Sequence, residues 1–275
     1  MSECNHNCEG CSANCSSRQS APEKFQANPD SVIKNVIGIV SGKGGVGKSL
    51  ITGLLASSMR AKGFTASILD ADITGPSIPK MFGLHEHVLS DGHNILPAVT
   101  KSGIKVISMN LCLQDESQPV VWRGPVLAGV LQQFWEEVDW GYTDYMFIDM
   151  PPGTGDVPLT VFQSLPVKGI IVVASPQELV SMIVNKALNM AEIMNVPVLA
   201  LVENMAYFEC PDCGKKHYIF GQSNLESIAS ESGIKIIAEL PIMPELAKLC
   251  DGGEIESFDA SKYLDDIINS LVDVQ

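Results

Sequence analysis

The stretch SGKGGVGKSL, residues 41–50, decides the fold. Its glycines and lysines fit the phosphate-binding pattern G-x-x-x-x-G-K-[ST]. The apolar run VIGIVS precedes the glycines and the helical pattern SLITGLLASSMRAKG follows them. In such a strand–loop–helix unit, backbone N–H groups surround an anion at the N-terminus of a helix. We therefore predict a nucleotide phosphate site formed by Gly42, Lys43, Gly44, Gly45, Val46, Gly47, Lys48 and Ser49.

The remaining parts of a nucleotide hydrolase site follow from the chemistry of this loop. Lys48 is expected to reach the β- and γ-phosphates, and Ser49 to ligate Mg²⁺. An acid for the Mg²⁺ shell is supplied by YMFIDMPPGTGD, in which Asp149 ends an apolar run. Gly153, in the same stretch, is expected to direct its backbone N–H to the γ-phosphate.

A second pair of acids ends the run ILDAD, at Asp70 and Asp72. In a parallel sheet these residues lie at the same carboxyl edge as the phosphates. We assign the positioning of the attacking water to Asp72, which is therefore a catalytic candidate with Lys43 and Lys48. Asp70 is expected to stabilise the loop.

Apolar, β-rich runs alternate with helical patterns along most of the chain, which predicts an α/β domain with a doubly wound, mostly parallel sheet. The strands are predicted at residues 36–41, 66–72, 104–109, 145–150, 169–175, 196–204 and 234–241. We expect one domain at 36–275, with an insertion at 207–221 that carries a cysteine pair. A cysteine-rich segment at 1–20 and a linker at 21–35 precede it.

Charge and hydropathy argue against several classes of protein. Acidic residues outnumber basic ones by 32 to 18, which disfavours nonspecific nucleic-acid binding. No apolar run approaches about 20 residues, and the helical C-terminal stretch YLDDIINSLVDVQ has no Lys or Arg for a membrane-surface face. The N-terminus has no secretory signal, so we expect a cytoplasmic protein that acts on neither nucleic acid nor membranes.

Eight cysteines in a reducing compartment indicate metal binding or redox chemistry rather than disulfides. Cys210 and Cys213 form a C-x-x-C pair, which supplies two thiolates, whereas a [4Fe–4S] cluster takes four. A two-fold dimer would bring two such pairs together. The spacing fits a zinc site with His217 equally well, and a thioredoxin-like redox pair is the third alternative.

A second group of cysteines lies in CNHNCEGCSANC, at Cys4, Cys8, Cys11 and Cys15. Four cysteines within twelve residues that lack apolar neighbours indicate a metal site. An iron–sulfur cluster and a zinc ion are both open, and the four cysteines would hold the zinc without His6.

The sequence KGGVGKS resembles the deviant phosphate loop of the ParA/MinD/ArsA group of dimerising ATPases. The resemblance implies a MinD-like (SIMIBI) P-loop fold. It also implies that Lys43 reaches across a homodimer to the nucleotide of the partner. A cation placed there would neutralise charge in the transition state, as an arginine finger does.

Within that group, DADITGPSIPKMFG, DMPPGTGDVPLT and ENMAYFECPDCGKKHYIFG resemble the Mrp/ApbC family of iron–sulfur cluster carriers, from about residue 32 to the C-terminus. The resemblance implies that Asn204 contacts adenine, and that Pro241 lies in a loop closing over the base. It favours a [4Fe–4S] cluster bridged by Cys210 and Cys213 in a homodimer. It also suggests a second cluster at the N-terminal cysteines, although their spacing is tighter than the family pattern.

The function implied by this resemblance is an ATPase that uses ATP and Mg²⁺ to carry a [4Fe–4S] cluster. Its expected partners are a second copy of the chain, apo iron–sulfur client proteins and upstream cluster assembly proteins. Three alternatives remain: a ParA/MinD-like positioning ATPase that acts on DNA or membrane, a zinc-bound nucleotide-binding scaffold, and an ATPase that feeds electrons to a reductase.

Overall fold

The structure, a computed structural model, describes residues 24–72, 77–113, 124–176 and 180–273. Its strands are β1 (Val32–Ser41), β2 (Ala66–Asp70), β3 (Leu89–Ser90), β4 (Ile95–Leu96), β5 (Ala98–Val99), β6 (Lys105–Ser108), β7 (Tyr142–Asp149), β8 (Val167–Ala174), β9 (Val198–Glu203), β10 (Phe208–Glu209), β11 (Lys216–His217) and β12 (Ile237–Glu239). Its helices are α1 (Lys48–Ala61), α2 (Ile78–Met81), α3 (Gly124–Glu136), α4 (Asp156–Ser164), α5 (Val180–Ile193), α6 (Leu225–Glu231), α7 (Pro244–Asp251) and α8 (Ser261–Asp273).

Eight of these strands form one sheet, in the order β12-β9-β8-β1-β7-β2-β6-β5. All neighbouring pairs are parallel except β5 with β6, which is antiparallel. Because the parallel strands share one direction, the loops after β1, β2, β7, β8 and β9 meet at a single edge of the sheet. The predicted doubly wound, mostly parallel α/β fold is confirmed.

Two separate hydrophobic cores cover the two faces of the sheet. Alternate residues of β1 go to opposite cores: Val36 and Val40 lie in one, and Ile37 and Ile39 in the other. The first core includes residues of α3, α4, α5 and α6, and the second includes residues of α1, α2, α7 and α8. Burial on both faces explains why the central strands read as nearly continuous apolar runs.

All seven predicted strands are present, with boundaries that differ by a few residues. The largest difference is at β1, which begins at Val32, so the last four residues of the segment predicted as a linker are strand. Part of the preceding segment also lies on the domain: Phe25 packs against the first core and Asn28 is buried. The short strands β3, β4, β5, β10 and β11 were not predicted, since two residues carry too little periodicity.

Among the residues that the structure describes, no helix has the length and apolar character needed to cross a membrane.

Candidate functional site: a phosphate loop and a cysteine hairpin

The phosphate loop joins β1 to α1 at the carboxyl edge of the sheet. Gly45 and Gly47 have φ angles of 80° and 84°, in the left-handed region that favours glycine. Gly47 is the N-cap of α1, so the first residue of the helix is Lys48. A Cβ atom at Gly47 would overlap the side-chain amide of Asn204. The loop therefore needs glycine here for its backbone conformation and for its close approach to Asn204.

Lys48 points to the carboxyl ends of β2 and β7. Its Nζ lies 2.7 Å from Oδ1 of Asp149 and 3.6 Å from Oδ2 of Asp72. Lys48 is 5% exposed and Asp149 is fully buried. One buried cation thus lies between two carboxylates at the position predicted for the phosphates and the metal shell.

Two hydroxyl groups of α1 complete the contacts of Asp149. Ser49 Oγ donates to Asp149 Oδ2 at 2.5 Å, and Thr52 Oγ1 lies 2.8 Å from Asp149 Oδ1. The Ser49–Asp149 pair is the predicted Mg²⁺ shell, and the structure brings its two members together. Thr52 was not predicted, although a threonine within an apolar helical run, four residues and so one turn after the lysine, is a sequence signal that could have identified it.

Asp70 and Asp72 occupy different environments after β2. Asp70 is 1% exposed, accepts a hydrogen bond of 2.9 Å from Ser108 Oγ, and accepts another of 3.1 Å from the backbone N–H of Asp72. Burial raises the pKa of Asp70 well above its ordinary value, and the nearby Asp149 carboxylate adds to the rise. Asp70 therefore holds the loop that carries Asp72, whereas Asp72 lies beside Lys48.

Two further predicted residues of the loop region have their backbone groups engaged within the chain. The N–H of Gly153 donates to the carbonyl of Ser41 at 2.8 Å, and the φ angle of Gly153 is 90°. The N–H of Gly153 thus has a partner within the chain, and its expected contact with a γ-phosphate stays a prediction. Lys43 is half-buried, and its carbonyl accepts a hydrogen bond of 3.0 Å from the Ser41 hydroxyl.

The predicted adenine residues lie where β9 and β12 end. Asn204 is 5% exposed, and its Nδ2 donates to the carbonyl of Val46 at 3.0 Å. Pro241 is buried, and the residue before it, Leu240, donates its N–H to the carbonyl of Glu203 at 2.9 Å. Asn204 therefore contacts the phosphate loop directly, and Pro241 follows the neighbouring strand at the same edge.

The cysteine pair lies in the turn of the hairpin formed by β10 and β11. The N–H of Cys210 donates to Lys215 O at 3.0 Å, and the N–H of Gly214 donates to Cys210 O at 2.9 Å. Cys213 is exposed and Cys210 partly so. Backbone N–H groups of Asp212 and Cys213, with the Cys213 thiol, lower the pKa of Cys210 and so favour the thiolate that ligates metals.

The hairpin offers two ligands from one chain. In the described part of the chain, no group of three or more His, Cys, Asp or Glu side chains is arranged to hold a metal ion. His217 pairs with Phe208 across the hairpin, and the structure does not add it to the cysteines as a third ligand. Cys4, Cys8, Cys11, Cys15 and His6 lie outside the described residues.

Three large apolar side chains follow β11 at the surface. Tyr218, Ile219 and Phe220 are 44%, 59% and 43% exposed. The ring of Tyr218 contacts that of Tyr207 at a centroid distance of 6.2 Å, and Lys216 lies over the Tyr207 ring at 4.0 Å. The hairpin is thus a small structured projection with an exposed apolar segment beside its cysteines.

The parallel sheet, the phosphate loop at its carboxyl edge and the buried lysine between acidic strand ends define a P-loop NTPase. The fold matches a MinC:MinD cell division complex of Aquifex aeolicus with a TM-score of 0.62 and 21% identity, over 87% of this chain and 95% of that one. The chain also matches the ParA family described as NUBPL iron-transfer P-loop NTPase over residues 32–273. The protein belongs to this family of Mrp/NUBPL-type iron–sulfur cluster carriers.

Individual relatives agree with this assignment. The chain is 48% identical to an iron–sulfur cluster carrier protein of Clostridium perfringens, over 92% of this chain and 91% of that protein. It is 40% identical to one of Methanocaldococcus jannaschii, over 92% and 90% respectively. A nucleotide-binding protein of Archaeoglobus fulgidus, solved in complex with ADP, superposes with a TM-score of 0.75 at 44% identity, covering 82% of this chain and 89% of that one.

Proposed function

We propose that this protein is an ATP-dependent iron–sulfur cluster carrier, which holds a [4Fe–4S] cluster and transfers it to apo-proteins. Family membership and the names of its relatives support the class of cargo. The observation that carries the proposal is the exposed Cys210–Cys213 turn, which provides two thiol ligands on a hairpin adjoining the nucleotide edge of the sheet.

The cargo site is complete only in a homodimer. One hairpin provides two cysteines, and the described residues add no third ligand to them. Because a [4Fe–4S] cluster takes four thiolates, two hairpins related by a two-fold axis supply the full set. The exposed apolar side chains of Tyr218, Ile219 and Phe220 lie beside the cysteines, where such an interface would cover them.

The nucleotide site has the parts needed to hydrolyse ATP to ADP and phosphate. The residues present fit Mg²⁺, because the Ser49 hydroxyl and the buried Asp149 carboxylate are already in contact and provide the oxygen ligands that it prefers. When bound, Mg²⁺ neutralises phosphate charge. Lys48 exchanges its carboxylate contact for the phosphates, Asp72 orients the attacking water, and Lys43 of the second copy approaches the γ-phosphate.

Two further parts of the proposal concern partners and the N-terminal segment. Cys4, Cys8, Cys11 and Cys15 hold a metal, either a second cluster or zinc. The carrier receives clusters from upstream assembly proteins and delivers them to apo iron–sulfur clients. The sequence pattern and the family resemblance support both proposals.

The cargo is tested by anaerobic purification and reconstitution, with absorbance near 400 nm and iron, sulfide and zinc measured per chain. The comparison is between wild type, a Cys210→Ala/Cys213→Ala double variant and a Cys250→Ala control, in which a partly buried cysteine of α7 is replaced instead. We expect brown protein, a large loss of absorbance in the double variant and no loss in the control. Residual iron in the double variant would come from the N-terminal cysteines, and an apo-protein acceptor then measures transfer. Colourless protein with stoichiometric zinc after reconstitution would refute the carrier and favour the zinc scaffold.

The role of Lys43 in trans is tested by mixing two inactive variants, Lys43→Ala and Lys48→Ala. A mixed dimer has one site with Lys48 from one chain and Lys43 from the other. If half of the dimers are mixed and each has one intact site, turnover returns to about one quarter of the wild-type rate. A mixture that stays inactive although the subunits exchange would show that both lysines serve the same chain.

A further inference from the structure

The segment that follows the cysteine insertion, where the chain returns to the sheet, is hydrogen-bonded to a buried glutamate. Glu203, the last residue of β9, is 2% exposed, and its Oε1 accepts a hydrogen bond of 2.7 Å from the hydroxyl of Ser223. Ser223 Oγ in turn accepts the N–H of Leu225, the first residue of α6, at 2.9 Å. The chain that leaves the hairpin is thereby fixed to the end of a central strand just before it enters α6.

The residue next to Glu203 is fastened to the phosphate loop. Asn204 donates its side-chain amide to Val46 O at 3.0 Å and its backbone N–H to Ala174 O at 2.9 Å. Two consecutive residues at the end of β9 thus form hydrogen bonds with two different segments of the chain. Asn204 contacts the loop for the nucleotide, and Glu203 contacts the segment that carries the cysteines.

The carboxyl group of Glu203 is costly for the fold. Its Oε2 has no hydrogen-bond partner in the part of the chain that the structure describes. Burial raises the pKa of Glu203, against the opposing effect of the Ser223 hydrogen bond. A buried acid with one satisfied oxygen is less favourable for stability than an apolar side chain of similar size. This cost points to a role other than packing for a hydrogen-bond acceptor at this position.

The leading end of the insertion has its own attachment to the same edge. Ala206 N–H donates to Leu240 O at 2.9 Å, and Ile242 N–H donates to Tyr207 O at 2.7 Å. These backbone bonds do not depend on the Glu203 side chain. The Glu203–Ser223 contact is therefore the side-chain bond through which the end of β9 acts on the returning arm of the hairpin.

We propose that Glu203 is a positioning residue, which through Ser223 couples nucleotide binding at the phosphate loop to the placement of the cysteine hairpin. The inference rests on the proposed use of Cys210 and Cys213 as cluster ligands. A nucleotide that displaces Val46 acts on Asn204, and Asn204 shares a peptide bond with Glu203. The hydrogen bond between Glu203 and Ser223 then transmits the displacement to the hairpin. The two sites are thereby connected by a short, contiguous series of contacts.

The coupling is measured by amide hydrogen exchange of peptides covering residues 207–221, in the full chain, with and without Mg²⁺ and a non-hydrolysable ATP analogue. In the wild type, we expect the analogue to slow exchange there by about fivefold or more, the lower end of typical coupling between sites. In Ser223→Ala we expect less than about a twofold effect, with nucleotide affinity and protection of the phosphate loop retained.

Two variants separate positioning from general destabilisation. Glu203→Gln retains a side-chain oxygen that accepts from Ser223, so we expect it to keep the nucleotide effect. Ser227→Ala is the matched control, because Ser227 Oγ also donates to a glutamate, Glu231, at 3.3 Å, but on the exposed surface of α6. The control should behave as wild type.

The exchange measurements test the coupling, and they do so independently of whether the protein binds a cluster. Absence of a nucleotide effect on 207–221 in the wild type, or a full effect in Ser223→Ala, would overturn the coupling. Loss of the effect in Ser227→Ala as well would also overturn it, since the bond to Glu203 would not be the cause. Cluster content, measured on the same samples, tests the proposed function, and a wild type that couples but binds no cluster would refute the carrier alone.

Discussion

Replacing Lys48 with methionine should strongly destabilise the protein in the absence of nucleotide. Lys48 Nζ lies 2.7 Å from Asp149 Oδ1, with side chains that are 6% and 0% exposed. Methionine keeps most of the apolar length of the lysine and removes its charge. The variant leaves the buried Asp149 carboxylate beside Asp70 and Asp72 without their common cation.

The expected loss follows from the geometry. At 2.7 Å and an effective dielectric constant of about 20, the attraction between the two charges is about 6 kcal/mol. The variant no longer has to desolvate an ammonium group, which offsets part of this loss. Removing one partner of a buried pair typically costs about 3–5 kcal/mol. Because Asp149 keeps its contacts with Ser49 and Thr52, we expect the lower end, about 3 kcal/mol.

The assay is urea unfolding of the nucleotide-free protein, with Lys80→Met as the matched control. Lys80 Nζ lies 2.8 Å from Asp251 Oδ1, almost the same distance, but these side chains are 66% and 74% exposed. An ion pair as exposed as this one contributes little to stability, so the control should lose much less than Lys48→Met. The double variant Lys48→Met/Asp149→Asn should recover at least about half of the loss, because it removes the unpaired charge.

Equal losses of stability in Lys48→Met and Lys80→Met would refute the reasoning, because burial would then have no effect on the contribution of the pair. A double variant less stable than Lys48→Met would refute the expectation that removing the Asp149 charge restores stability. In that case the carboxylate of Asp149 would be stabilised by its hydroxyl contacts rather than by the lysine.

Three further predictions concern the loop and the cysteines. Gly47→Ala places a side chain in the left-handed region against Asn204, so urea unfolding should show a loss of about 1–2 kcal/mol or more. Asn204→Ala loses the bond to Val46 and the proposed adenine contact, and calorimetry should show about tenfold weaker ADP binding. The pKa of Cys210 is lowered by backbone N–H groups and that of Cys250 is raised by burial, so alkylation of Cys210 followed by mass spectrometry should reach its maximal rate at lower pH.

The parts of the site that depend on one continuous segment could be predicted from the sequence. The phosphate loop needs glycines with φ angles near 80°, a helix after the loop and a lysine at the start of that helix. The sequence of residues 41–50 indicates all three. The acids Asp70, Asp72 and Asp149 could be placed at the same edge because parallel strands end together. The structure brings these groups together around Lys48.

Contacts between distant segments could not be predicted in the same way. The bond between Glu203 and Ser223 depends on how the insertion returns to the sheet, and no local pattern encodes that return. The Gly153 N–H is expected to contact a γ-phosphate, and the sequence does not indicate that in the folded chain it donates to the carbonyl of Ser41. Side-chain type and spacing indicate which chemistry is available, but the orientation of a donor depends on neighbouring elements.

Under the proposed function, two features of the chain each require a second copy. The proposed [4Fe–4S] cluster takes four thiolates and one hairpin has two, and the phosphate-loop pattern uses Lys48 but not Lys43, which we propose to act on the nucleotide of the second copy. These features lie on different elements, so either requirement could fail without the other. If mixed variants regain turnover but the cluster needs ligands from elsewhere, the dimer serves hydrolysis only. If the cluster bridges two hairpins while Lys43 acts in its own chain, the dimer serves the cargo only. A single two-fold arrangement that meets both requirements would place hydrolysis and cluster release at the same interface, with Glu203 between them.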